Sequence, residues 1–165
     1  MLAPRWAHLP LSGEGATRQG GRGNAPGVPA LYMSEAFTTA VAEYEQELGI
    51  RPGTLCAYEV DAAGIADLRD PETLRTLGAE PGAPFCPWKR IAFVEGARPP
   101  TWALAERLAA LDATGALVLS ARDPAAGTNL VLWRWNDRPD RRVAALDPLG
   151  DLPRDQSSWP PARGG

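Results

Sequence analysis

Residues 12–48 read SGEGATRQGGRGNAPGVP, then ALYMS, then EAFTTAVAEYEQEL, and the three pieces call for three different backbones. The first is dense in glycine and carries Arg18 and Arg22, a composition that favours irregular chain with exposed amides. Ala30 to Ser34 is a short apolar run with an aromatic, expected as a buried strand. From Glu35 to Leu48, the residues Phe37, Ala40, Val41, Tyr44 and Leu48 recur at helical spacing and Gly49 supplies a stop, so a helix is expected there. Loop, strand and helix form the opening unit.

Working outward, a turn at Arg51-Pro52-Gly53 leads to an expected strand over Thr54 to Val60 and a short third strand over Ile65 to Leu68. Pro71 to Leu77 reads as a short helix ended by Gly78. Residues 78–100 are poorly patterned and end in Pro99-Pro100, after which Thr101 is placed to cap a helix to about Ala113, with Trp102, Ala105, Leu108 and Ala109 as its apolar face. Ala116 to Ser120, Leu130 to Trp135 and Arg142 to Asp147 are β-like runs separated by turn-rich segments, expected as antiparallel neighbours. A loose tail is expected from about residue 160, although Trp159 could dock.

Composition sets bounds on function. The 165 residues fit one domain spanning the chain, and 44% hydrophobic residues with six Trp supply a core. A net charge of −3 provides no global positive field for a nucleic-acid backbone or an anionic membrane. Only Cys56 and Cys86 occur, which is no disulfide framework; His8 is the sole histidine, so a usual zinc site cannot be assembled, and its place in a proline-flanked N-terminal stretch argues against a His-based triad. No metal is expected. No apolar h-region opens the chain and no run of 18 apolar residues occurs, so a cytoplasmic protein with no membrane span is expected.

The glycine-rich segment precedes a strand, whereas a dinucleotide fingerprint follows one and opens a helix, so it is neither Rossmann nor P-loop. Its amides and Arg22 could receive an anion, since guanidinium binds phosphate bidentately. Glu35, Glu43, Glu45 and Glu47 offer carboxylates of the kind that stabilise an oxocarbenium ion. Periodicity does not choose among them: Glu45 and Glu47 flank the apolar face more closely than Glu43. Trp133 and Trp135, alternating along a strand, read as packing residues, and Arg138, Arg141 and Arg142 around Asp137 and Asp140 as a solvated turn.

The wider pattern comprises Leu11-Ser12-Gly13-Glu14-Gly15-Ala16, Gly20-Gly21-Arg22-Gly23-Asn24, Gly27 to Ser34, and Thr38 to Tyr44. It continues through Pro100-Thr101-Trp102-Ala103, Gly115 to Ser120 and Asn129 to Trp133, and reaches Ser158-Trp159-Pro160. Over nearly its whole length the chain resembles the RES domain, the toxin half of bacterial toxin–antitoxin pairs. The positions matching the family's arginine, glutamate and serine are Arg22, Glu43 and Ser120, and Tyr32 matches its tyrosine. Gly23 stands where the family usually has Trp or Phe.

The resemblance implies a mixed α/β fold of the ADP-ribosyltransferase type, with two kinds of β-pairing and flanking helices around an NAD cleft. It implies Arg22, Tyr32, Glu43 and Ser120 as catalytic, and Gly20, Gly21, Arg22, Asn24 and Tyr32 as substrate-binding. The implied activity is cleavage of the nicotinamide–ribose bond of NAD by hydrolysis, or by phosphorolysis with inorganic phosphate as co-substrate. NAD is then substrate, and no cofactor is implied. The implied partner is a helix-rich Xre-like antitoxin, with self-association into a homodimer as a further option and no direct contact with nucleic acid. Two alternatives are transfer of ADP-ribose to a protein and an NAD-binding module without turnover.

Overall fold

The computed structural model describes residues 1–45, 49, 51–122 and 127–157, and its architecture is mixed α/β with two sheets. The larger sheet has the order β1-β5-β4-β3, formed by β1 (Leu31–Ser34), β5 (Thr128–Leu132), β4 (Gly115–Leu119) and β3 (Ile65–Asp67). Only the β3–β4 pair is parallel; β1–β5 and β4–β5 are antiparallel. The second sheet pairs β2 (Ala57–Ala62) with β6 (Arg141–Leu146) in antiparallel fashion. The expected antiparallel β4–β5 neighbours are observed, but β6 joins β2 rather than β5, a long-range pairing that turn signals between adjacent runs cannot reveal.

Successive strand residues point to opposite faces, so each face of the larger sheet builds its own core. Leu31 and Leu132 pack on one face with Val143 of β6, flanked by Tyr58, Ile65 and Trp135. Ala116, Val131 and Trp133 lie on the other face with Leu74, Leu104 and Leu108 from two helices. Those helices are α3 (Pro71–Thr76) and α5 (Pro100–Ala110), after α1 (Glu14–Gln19), α2 (Phe37–Glu45) and, between α3 and α5, α4 (Trp88–Phe93). In α3 the Asp70 carboxylate accepts the N–H groups of Glu72 and Thr73, and Pro71 occupies the first turn, where no intrahelical donor is needed.

Several expectations need correction. Residues 12–29 are not wholly irregular: α1 forms there because Thr17 Oγ donates to Gly13 O, Arg18 pairs with Glu14 one turn earlier, and Gly20 at φ 69° stops it. The poorly patterned 78–100 stretch holds a 3-10 turn at Ala83–Phe85 and helix α4. Thr101 is no cap: Pro99 precedes α5, and Thr101 is buried on the face it shares with Leu104 and Leu108. The expected strand over Thr54 to Val60 begins at Ala57, Thr54 making only an isolated bridge to Leu2. The helix expected over 35–48 spans Phe37–Glu45, its last three positions lying outside the described residues, as does the tail from 160 with Trp159.

Arg141 is the other departure, because a turn arginine is expected in solvent and this one is only 3% exposed. Its guanidinium donates to Asp112 O and Oδ2 at 3.0 Å each and to Asp137 Oδ2 at 3.1 Å. Asp112, at φ 60° just past α5, also receives Arg134 and Arg138. The charges that sequence places in a turn are therefore a network tying α5 to the smaller sheet.

Candidate active site

The register of the larger sheet brings Ser34, Asn129 and Val118 into one row and Tyr32, Val131 and Ala116 into the next. All six line one cavity of about 1090 Å³ over that face, closed around by the glycine-rich segment, α2, α4 and α5. This volume is at the upper end of small-molecule sites, which run to roughly 1,000 Å³. Among the described lining residues there are five basic side chains, Arg18, Arg22, Lys89, Arg90 and Arg122, and a single carboxylate, Glu43. Such a cavity favours an anion with one position reserved for positive charge.

Glu43 sits near the end of α2, and the sheet fixes its carboxylate. Oε1 accepts Ser120 Oγ–H at 2.7 Å and Asn129 Nδ2–H at 2.8 Å. Asn129 cannot rotate freely, because its Oδ1 accepts from Ser34 Oγ at 2.6 Å. Ser120 is fully buried just beyond β4, and its Oγ accepts the backbone N–H of Arg122 at 3.1 Å. Two donors converging on one carboxylate oxygen fix its position. The other helical carboxylates take different places: Glu35 faces Arg69 at 3.9 Å, Glu45 does not line the cavity, and Glu47 is outside the described residues.

Arg22 projects from the glycine-rich segment and its Nη1 donates to the carbonyls of Pro84 and Cys86 at 3.1 and 2.8 Å. Burial lowers its pKa from the ordinary value, an effect opposed by its neighbours Cys86 and Glu43. A guanidinium stays charged through such a shift. On either side of Arg22 the backbone is pinned: Trp102 Nε1 donates to Gly21 O and Trp133 Nε1 to Gly23 O, each at 2.8 Å. These contacts convert a glycine-rich stretch into a held loop.

Asn24 completes the hold from beneath and does not line the cavity. It is 1% exposed, and its Nδ2 donates to the carbonyls of Ala16, Ala25 and Val28 while its Oδ1 accepts Tyr32 Oη–H at 2.6 Å. Tyr32 Oη in turn accepts the Gly23 N–H at 2.9 Å. Its buried hydroxyl is held well above the usual phenol range, while 41% exposure leaves the ring open to the cavity. Gly21 explains itself here, since a Cβ at that position would overlap Tyr32 Oη and approach Asn24 Oδ1 to 2.8 Å. Gly20 and Gly21 both line the cavity.

Of the expected residues, the structure thus brings Gly20, Gly21, Arg22, Tyr32 and Glu43 to one cavity, with Ser120 bonded to Glu43 from beneath it. Neither the residue-level reading nor the family pattern assigned Ser34, Asn129 or Arg122 to the site. A signal existed for Asn129: asparagine is depleted in strands, and one alternating with Val131 and Trp133 implies a partner on that face. Trp88 and Phe93 were likewise hidden in the unpatterned 78–100 stretch, and both line the cavity.

A search of curated proteins gives no significant match. Among solved structures, the crystal structure of the M. tuberculosis MbcT–MbcA toxin–antitoxin complex contains a chain of similar fold, at a TM-score of 0.52 and 23% identity, covering 82% of this chain and 76% of that one. A family model, the RES domain, matches residues 2–155. The protein with this carboxylate-and-guanidinium cavity belongs to the RES domain family.

Proposed function

We propose that this protein breaks the bond between nicotinamide and ribose in NAD, and that it does so as the toxin of a toxin–antitoxin pair. The observation that carries the chemistry is Glu43, the one carboxylate beside five basic side chains among the described lining residues, held at one oxygen by Ser120 and Asn129. Nicotinamide in NAD is a cationic leaving group. When the C1′–N bond breaks, the ring takes the electron pair and departs neutral, so the step requires no proton donor; it requires stabilisation of the positive charge left on the sugar. Glu43 supplies that stabilisation. Water then bonds to C1′ and releases a proton to solvent, or hydrogen phosphate bonds to C1′ through an anionic oxygen.

Each neighbour has a part consistent with its position. Ser120 and Asn129 orient Glu43, Arg22 and the surrounding bases receive the diphosphate, and the open face of Tyr32 packs against nicotinamide. Gly20, Gly21 and Asn24 shape the loop that carries Arg22. The toxin role is supported by RES-family membership and by the fold shared with a chain of a toxin–antitoxin complex, in which a second protein is present. By this reading an antitoxin covers the cavity.

Incubation of the purified chain with NAD, with and without inorganic phosphate, followed by mass spectrometry, tests the proposal. Nicotinamide with ADP-ribose indicates hydrolysis, and nicotinamide with phosphorylated ADP-ribose indicates phosphorolysis. A mass increase on a protein without free ADP-ribose would redirect the reading to transfer. Intact NAD after prolonged incubation would refute turnover.

A further inference from the structure

Helix α4 places an aromatic pair on the cavity that neither the hydrophobic core nor the bond-breaking chemistry uses. Trp88 and Phe93 meet edge to face with ring centroids 6.0 Å apart, and both line the cavity. Phe93 is 62% exposed although it is a large apolar side chain. Trp88 is half-buried and leans on Trp102, centroids 6.3 Å apart. Three other tryptophans, Trp102, Trp133 and Trp135, each commit the indole N–H to a backbone carbonyl. Among the described residues Trp88 Nε1 has no such partner.

Position along the cavity gives the pair its meaning. Arg22 lines the same cavity as Glu43 and also holds the carbonyls of Pro84 and Cys86, immediately before Trp88. The guanidinium therefore links the carboxylate that faces the ribose to the segment that carries the indole. One cavity thus offers a carboxylate, a guanidinium and an aromatic surface, groups that suit the nicotinamide riboside, the diphosphate and the adenosine of a dinucleotide. Base-on-aromatic stacking contributes roughly tenfold to a hundredfold in affinity, so a wall of this kind matters for binding.

We propose that Trp88, backed by Phe93, is the stacking surface for the adenine base, and that Arg22 acts as the clamp holding this wall against the glycine-rich loop. The assignment rests on the NAD-cleaving reading and adds the part of the substrate that is recognised. Trp88 and Phe93 touch a region remote from the scissile bond, so their contribution falls on binding.

The test compares NAD with nicotinamide mononucleotide, which has the same scissile bond and no adenosine. In Trp88→Leu the KM for NAD is expected to rise about tenfold to a hundredfold with kcat within about twofold, while the constants for the mononucleotide stay unchanged. Trp88→Phe is expected to retain most of the wild-type affinity. Phe93→Ala, an exposed position outside the Trp102 contact, is expected to raise KM for NAD several-fold, and serves if Trp88→Leu does not fold. Equal losses on both substrates, or no change on either, would overturn the assignment.

Calorimetry with ADP separates this proposal from the reaction itself. ADP is expected to bind the wild type and to bind Trp88→Leu and Phe93→Ala less tightly by the same factors. If NAD is not consumed but this pattern holds, the catalytic reading fails and the adenine site stands. Absence of ADP binding to the wild type, or equal binding to all variants, would overturn the adenine site even if NAD is cleaved.

Discussion

Replacing Glu43 by glutamine isolates charge from geometry. Both donors that position the side chain converge on Oε1, Ser120 Oγ at 2.7 Å and Asn129 Nδ2 at 2.8 Å. A glutamine carbonyl oxygen placed there accepts both, so the substitution retains the hydrogen bonds and removes the negative charge. Two unit charges about 4 Å apart contribute roughly 4 kcal/mol at an effective dielectric near 20, and an amide dipole replaces only a fraction of this. A loss of about 3–4 kcal/mol corresponds to two to three orders of magnitude in rate. NAD consumption by Glu43→Gln, followed by release of nicotinamide, is therefore expected to be about a hundred to a thousand times slower, with an unchanged circular dichroism spectrum and melting temperature. A glutamine variant that keeps the fold and destroys NAD at the wild-type rate would refute a role for the carboxylate in stabilising the sugar cation.

Three further outcomes follow from particular contacts. Arg22→Ala leaves the Pro84 and Cys86 carbonyls without their donor and removes a cation from the cavity, so KM for NAD is expected to rise about tenfold or more; steady-state kinetics showing unchanged KM and kcat would contradict it. Arg141→Ala removes a buried guanidinium from Asp112 and Asp137, at a cost of about 3 kcal/mol, which calorimetry should register as a fall of roughly 6–12 °C in Tm. Tyr32 ionises above its ordinary value of 10.0 in the folded chain because of burial, so the unfolded chain releases this proton first as pH rises. Its contribution is complete below pH 10.0 and is lost as pH climbs through the folded value; denaturant titrations across that range should show stability falling, and less steeply in Tyr32→Phe.

Local rules of chain geometry made much of this molecule legible before any coordinates. The apolar run at Ala30 to Ser34 is strand β1 in all but its first residue, Asp70-Pro71 opens a helix, and Pro99-Pro100 opens another, because caps, proline and side-chain periodicity act within a few residues. The family pattern likewise picks out Arg22, Tyr32, Glu43 and Ser120 as a set, although the bare periodicity of the helix does not choose among Glu35, Glu43, Glu45 and Glu47.

What tertiary structure alone decided are the partners. Glu43 receives hydrogen bonds from Ser120 and Asn129, 77 and 86 residues away, and no helical period encodes which carboxylate finds such donors. Arg22 reaches carbonyls 62 and 64 residues on, in a stretch whose prolines and weak pattern concealed helix α4 and its aromatic pair. The pairing of β6 with β2, and the burial of Arg141 among aspartates, belong to the same class. Backbone preference is written residue by residue, whereas a buried polar group is stable only beside its complement, and that complement is supplied by the folded chain.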